Sequence, residues 1–159
     1  MYTECVLKET LRLYSVVPIV AREAVADDEL GGYFIARGTR IFVHIQRMHE
    51  DARLWPEPLA FRPERFAAPD GARNSSDSSS ATQPAHRRQH AFNPFINGPR
   101  SCVGQFFSLL ESKIVLAQLV RQFDIAPTLP ANVAGQRHPY VLPYAPLHGL
   151  PVRATQRPR

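Results

Sequence analysis

The sequence predicts a mainly α protein with small β-sheets, an α+β chain, and three observations carry that reading. Two segments, 3–17 and 103–123, repeat apolar residues at helical spacing. Two short runs rich in β-branched and aromatic residues, 33–36 and 40–45, flank a turn dipeptide. Between these blocks lies a coil, 55–66, that holds three prolines and yet also Trp55, Leu59, Phe61 and Phe66.

In the first helix Leu7, Leu11 and Tyr14 fall at i, i+4 and i+7, and Val6, Leu13 and Val17 widen the stripe. Thr3 is placed to cap it, Glu4 suits its first turn, and Pro18 stops it. Residues 18–26 read as extended. The runs 33–36 and 40–45 are joined across Arg37-Gly38, which predicts that they pair as a hairpin. A helical turn is expected around Glu50 to Leu54. The coil 55–66 cannot be regular helix or sheet, but its large apolar side chains predict that it is packed down. Residues 67–91 contain no Val, Ile, Leu, Met or aromatic residue and include a serine-rich run. They cannot bury enough surface to offset their ordering entropy and are predicted to be a disordered surface insertion.

The second helix has one stripe of Val103, Phe106, Phe107, Leu110, Ile114 and Ala117. Leu109, Leu116, Leu119, Val120 and Phe123 cover much of the rest, leaving Gln105, Ser108, Ser112 and Gln122 as narrow wet faces. A helix this apolar is expected inside something larger. The tail is proline-rich, with short β-like runs near 140–142 and 150–153.

Composition sets bounds. A length of 159 residues suits one domain, and 44% hydrophobic residues predict a core. The net charge of +5 comes almost wholly from arginine: 17 of 19 basic residues, with only Lys8 and Lys113 as lysine. Arginine suits bidentate pairing with carboxylates. No basic run exceeds two residues and no nucleic-acid motif occurs, so no nucleic-acid partner is expected. Of the two cysteines, Cys5 reads as a small buried hydrophobe. No C-x-x-C pair exists, which argues against structural zinc. Neither a signal peptide nor a bilayer-length apolar run is present, so the sequence as it stands reads as soluble or peripheral.

The densest chemistry lies at 95–104, Phe95-Ile-Asn-Gly98-Pro-Arg100-Ser-Cys102-Val-Gly104. It places one cysteine between two glycines, beside an arginine, at a helix start. The positive field there favours the thiolate, the form that binds a metal. Gly98 permits a positive φ, and Gly104 lets the helix start approach a flat ligand. Phe95 is placed to keep water from the sulfur, and Arg100 to pair with a ligand carboxylate. A second pattern, Glu9-x-x-Arg12, puts a carboxylate and a guanidinium on one helix face. A third, Pro63-Glu64-Arg65-Phe66, closes the coil.

These three patterns occur in the order found in haem-thiolate monooxygenases, and the chain resembles the C-terminal part of the cytochrome P-450 family from about residue 3 to about residue 154. The spacing fits once 67–91 is treated as an insertion. The resemblance implies a partial cytochrome P-450 domain over 1–159, the haem-proximal portion of that fold. It implies haem b (iron protoporphyrin IX) as cofactor, with Cys102 the axial iron ligand through its thiolate. Phe95, Gly98, Arg100 and Gly104 would line the cofactor, and Arg100 and Arg22 would pair with its propionates. Glu9, Arg12 and Arg65 would form a buried ion-pair triad supporting the cysteine loop. Val17, Ile19 and Val20 would line the pocket of a lipophilic small-molecule substrate. A flavoprotein or iron–sulfur protein would be the redox partner. The compartment stays open, since no anchor or signal is read and eukaryotic relatives are commonly bound to the endoplasmic reticulum membrane.

One part of the family pattern is missing. No helix carrying the acid–alcohol pair that delivers protons to dioxygen is found, so no catalytic residue is identified. The expected function is that of a monooxygenase fragment: its parent inserts one oxygen atom from dioxygen into a lipophilic substrate, while the isolated chain is inactive. The alternatives are a non-catalytic haem-binding or interaction remnant, and a non-haem globular domain with chance motifs.

Overall fold

A computed structural model of the chain describes residues 2–67, 90–137 and 143–158. Helices and small sheets alternate as an α+β architecture. Helix α1 spans Tyr2–Leu13, so Thr3 is its second residue rather than its cap. It ends four residues earlier than its apolar stripe suggests, and the cause is a side chain. Gln46 accepts the Ser15 N–H on Oε1 (3.0 Å) and donates from Nε2 to the Leu13 carbonyl (3.0 Å). These bonds satisfy backbone groups that a continuing helix would have used.

Strand β1 (Ile19–Glu23) pairs antiparallel with β4 (Arg40–His44), Arg22 opposite Ile41. Strands β2 (Asp28–Leu30) and β3 (Tyr33–Ile35) form their own hairpin. The predicted pairing of 33–36 with 40–45 is therefore wrong. The Arg37-Gly38 turn does form, with Gly38 at φ 81° and a bond from Thr39 N–H to the Ala36 carbonyl (3.1 Å), but the runs it joins pair elsewhere. Gly31 and Gly32, at φ 62° and 84°, supply the two successive positive φ values that a two-residue hairpin requires, and they claim β3 first.

Helix α2 (Ile45–His49) follows β4 directly, and His44 Nδ1 accepts the Arg47 N–H to cap it. The turn expected around 50–54 forms after α2: the N–H groups of Leu54 and Trp55 both turn back to the Asp51 carbonyl (2.9 Å each). The coil that follows closes in a 3-10 turn at Pro63–Phe66 and is packed down through two of its four expected anchors, while Leu59 and Phe61 are 75% and 49% exposed. Its anchors are Trp55 and Phe66, which form an aromatic cluster with Phe92 and His49. Of the predicted insertion, residues 68–89 lie outside the described residues; His90 and Ala91 are helical, and Ala91 is buried.

Helix α3 (Gln105–Gln122) runs straight into β5 (Phe123–Pro127), which pairs antiparallel with β6 (Val152–Gln156). Phe123, expected as the last helical residue, opens the strand at φ −131° and ψ 144°. The β-like run at 140–142 lies outside the described residues, while the one at 150–153 leads into β6. A four-residue helix, α4 (Ala131–Ala134), sits between. The tail docks on the end of α1: Tyr144 N–H donates to the Val16 carbonyl (2.7 Å), and the Arg137 guanidinium lies over the rings of Tyr14 and Tyr144.

The core around α1 is strongly polar. Cys5, Leu13, Ile45 and Ala91 are its buried apolar members, beside Glu9, Arg12, Ser15, Gln46 and His49. Helix α3 contributes no fully buried residue. It meets α1 through Lys113 and Glu4 (2.9 Å), while Phe106 is 84% and Ile114 54% exposed.

Candidate cofactor-binding site

Glu9 and Arg12 lie one helical turn apart and meet as a two-pronged pair. Arg12 Nε donates to Glu9 Oε2 (2.8 Å) and Nη2 to Oε1 (2.9 Å), with both side chains at 0% exposure. The other guanidinium protons go to backbone carbonyls of His49 (2.7 Å), Pro58 (2.7 Å) and Ala60 (3.3 Å). All five N–H donors of Arg12 are thereby used. Glu9 Oε1 also accepts Arg65 Nε (3.0 Å) and the Arg62 backbone N–H (2.8 Å). Burial alone would push the Glu9 carboxyl up. The bonds from Arg12 and the Arg62 N–H, with the charges of Arg12 and Arg65, outweigh it and hold Glu9 below the usual carboxylate range. The network spares each buried charge an unpaired state and ties the coil 55–66 to α1.

The coil in turn supports the cysteine loop. His49 stacks on Phe92 (5.6 Å between ring centres, 26° between planes), and its Nε2 accepts the Asn93 backbone N–H (3.0 Å). From there the loop is closed by its own backbone. Ile96 N–H donates to the Asn93 carbonyl (3.3 Å), Ser101 N–H to Gly98 (3.0 Å) and Cys102 N–H to Phe95 (2.8 Å). Gly98 sits at φ 82°, where a side chain is strained. Ile96, a β-branched residue at φ 61°, carries such strain. Phe95 and Ile96 line a cleft of about 90 Å³ with Lys8, Leu11, Gln105 and Leu109, wedged between α1 and α3.

Cys102 is exposed, two residues before the N-cap Gly104 of α3. A Cβ on Gly104 would stand 3.9 Å from Cys102 Sγ, so the absent side chain leaves the space beside the sulfur open. Val103 (102% exposed) and Phe106, three residues on, present apolar surface next to it. Among the described residues neither Arg22 nor Arg100 is paired with a carboxylate; Arg22 donates to the neighbouring Ala21 carbonyl (2.8 Å). An open thiol beside an apolar apron, with Arg100 in the same loop, is chemistry that would suit a flat, apolar, anionic cofactor such as haem.

The predicted pocket residues are less concentrated. Val17 is exposed, while Ile19 and Val20 are half-buried. Strand alternation puts Val20 on the face of β1 that carries Arg22 and Ile19 on the other. Sequence reading missed Ser15, Gln46, His49 and Asn93. Gln46 and His49 stand three apart, a spacing that would have placed both on one helix face had α2 been expected at 45–49.

Known proteins resemble this chain over most of its length. The sequence profile "Cytochrome P450" matches residues 1–135. Cytochrome P450 4V2 of Mus musculus is 40% identical over 122 residues, which is 77% of this chain and 21% of that protein. Cytochrome P450 4V2 of Homo sapiens is 35% identical over 156 residues, 98% of this chain and 27% of that protein. Among solved structures, retinoic acid bound cyanobacterial CYP120A1 superposes with a TM-score of 0.77 at 30% identity, covering 98% of this chain and 32% of that one. The chain thus spans about a quarter of the length of the curated relatives it matches. With the buried triad, the cysteine loop and the match over residues 1–135 in agreement, the chain belongs to the cytochrome P450 family.

Proposed function

We propose that residues 1–159 form the haem-proximal part of a haem-thiolate monooxygenase, with Cys102 Sγ as the axial ligand of haem b. The observation that carries this reading is the exposed Cys102 thiol in a loop braced by the buried Glu9–Arg12–Arg65 network. When bound, the haem supplies dioxygen chemistry, insertion of one oxygen atom into a lipophilic substrate with electrons from a flavoprotein or iron–sulfur partner. The chain's own residues do the holding. Cys102 presents its sulfur; Gly104 keeps the approach to it open; Arg100 and Arg22 receive the propionates; Phe95, by its backbone carbonyl, fixes the cysteine N–H. Val20 offers apolar surface to the substrate on the Arg22 side of β1, with Val17 and Ile19 as the other proposed lining residues.

A non-catalytic haem-binding or interaction role is the second reading, and the open apolar face of α3 favours it for the chain by itself. One experiment separates them. The 159-residue protein is loaded with haemin, reduced and exposed to carbon monoxide. A red-shifted Soret band that Cys102→Ala abolishes supports the thiolate site, and failure to take up haem refutes it. Adding a reductase and a lipophilic substrate then tests turnover. None is expected, and any hydroxylation by the chain overturns the second reading.

A further inference from the structure

We infer that His49, held as its Nδ1–H tautomer, is the positioning residue that fixes the cysteine loop to α1. The tautomer follows from the direction of its hydrogen bonds. A backbone N–H can only donate, so Nε2, 3.0 Å from the Asn93 nitrogen, must be the unprotonated acceptor. The ring proton then sits on Nδ1, which lies 2.9 Å from Ser15 Oγ. Ser15 Oγ accepts that hydrogen bond and donates its own O–H to the Leu11 carbonyl (3.1 Å). Each hydrogen bond from the Asn93 backbone N–H through His49 and Ser15 to the Leu11 carbonyl has one consistent direction.

Position makes this more than a satisfied core histidine. The side chain is fully buried. Its backbone carbonyl accepts a hydrogen bond from Arg12 Nη1, so one residue touches the triad with its main chain and the loop with its ring. Asn93 is the entry to the loop: its carbonyl holds Ile96, and two residues later Phe95 holds Cys102. The strained φ of Ile96 lies between those anchors, a conformation that persists only where its surroundings fix it. Removing the bond at Asn93 frees the end of the segment that stores the strain.

The two ring nitrogens can be removed one at a time. Glutamine places its carbonyl oxygen near Nε2, and asparagine places its amide near Nδ1, so His49→Gln keeps the Asn93 bond and His49→Asn keeps the Ser15 bond. Nitrogen-15 NMR of the wild-type chain at pH 7 is expected to show a protonated Nδ1 and an unprotonated Nε2. The Asn93 amide is expected to exchange at least tenfold faster in His49→Asn than in wild type, with His49→Gln close to wild type. Alkylation of Cys102 should follow the same order. An Nε2–H tautomer or an imidazolium in the wild type overturns the inference even if a variant fails to fold. So does equal Asn93 exchange in both variants. Only the haem consequence rests on Cys102 being the ligand: the thiolate-type Soret band should survive in His49→Gln and be lost in His49→Asn. A chain that binds no haem in any form refutes that ligand reading, while tautomer and exchange still decide the role of His49.

Discussion

Glu9 and Arg12 face each other through two parallel hydrogen bonds of 2.8 and 2.9 Å with neither side chain reaching solvent. A pair so placed is costly to break from one side, because the surviving charge is left buried. Arg12→Ala is therefore expected to destabilise the chain by about 3–5 kcal/mol, and Arg12→Lys to recover only part of this, since an ammonium cannot reach both carboxylate oxygens and three carbonyls. Urea unfolding followed by circular dichroism measures both.

Burial pushes the His49 imidazole down to about 4, with the Arg12 charge acting in the same sense and Glu50 opposing it. The folded form therefore prefers the neutral ring, while the unfolded chain binds the proton at an ordinary value near 6.5. Stability is full above about pH 6.5 and falls as pH drops towards 4, by up to about 3 kcal/mol. Two paired carboxylates titrate lower. Lys8 and Lys113 bring Glu4 down to about 2, and Arg53 does the same for Asp51, so their contributions fade only below about 4.5. Urea midpoints at pH 7.0, 6.0 and 5.0 should thus decline in wild type and stay nearly level in His49→Gln.

Two glycines of the loop are expected to respond in opposite ways. Gly98→Ala meets no neighbouring atom within 4 Å, but it forces a side chain to φ 82°, which costs about 1–2 kcal/mol. Gly104→Ala has an ordinary backbone, φ −86°, and a Cβ in plain contact with Sγ. It should fold as well as wild type and yet lose the thiolate-type haem spectrum, because the methyl group occupies the approach to the sulfur. Thermal melts and haem titration, run side by side, separate the two effects.

The outward face of α3 is expected to make the chain self-associate. Phe106→Ser and Ile114→Ser remove side chains that are 84% and 54% exposed, so little packing is lost. The double variant should stay monomeric at concentrations where wild type does not, with an unfolding free energy within about 0.5 kcal/mol of it. Sedimentation velocity and urea unfolding give the two readings.

Much of this was legible in residue order. The spacing of Leu7, Leu11 and Tyr14 announced α1, the stripe from Phe106 to Ile114 announced α3, and Glu9 and Arg12 meet as their spacing suggests, with Arg65 joining them as the resemblance implies. What sequence did not show depends on choices between competing partners. Residues 33–35 had a turn signal on each side, and pairing went to the one with two glycines. The end of α1 was set by Gln46, an amide 31 residues away from Ser15, which no local pattern can report. His49 escaped notice for the same reason, since its partners Ser15 and Asn93 lie 34 and 44 residues off in opposite directions.

The carbonyls that complete the Arg12 guanidinium stand 37, 46 and 48 residues downstream of it. A growing chain that has made α1 still carries this charge in water, and Glu9 with it, until Ala60 has been synthesised. Desolvating the pair any earlier would be penalised, so the helix cannot settle first and wait for the coil. Helix and coil must close together, as one late, non-local event. The segment that most resembles an independent helix in sequence is thus bound in time to the arrival of the coil that follows it.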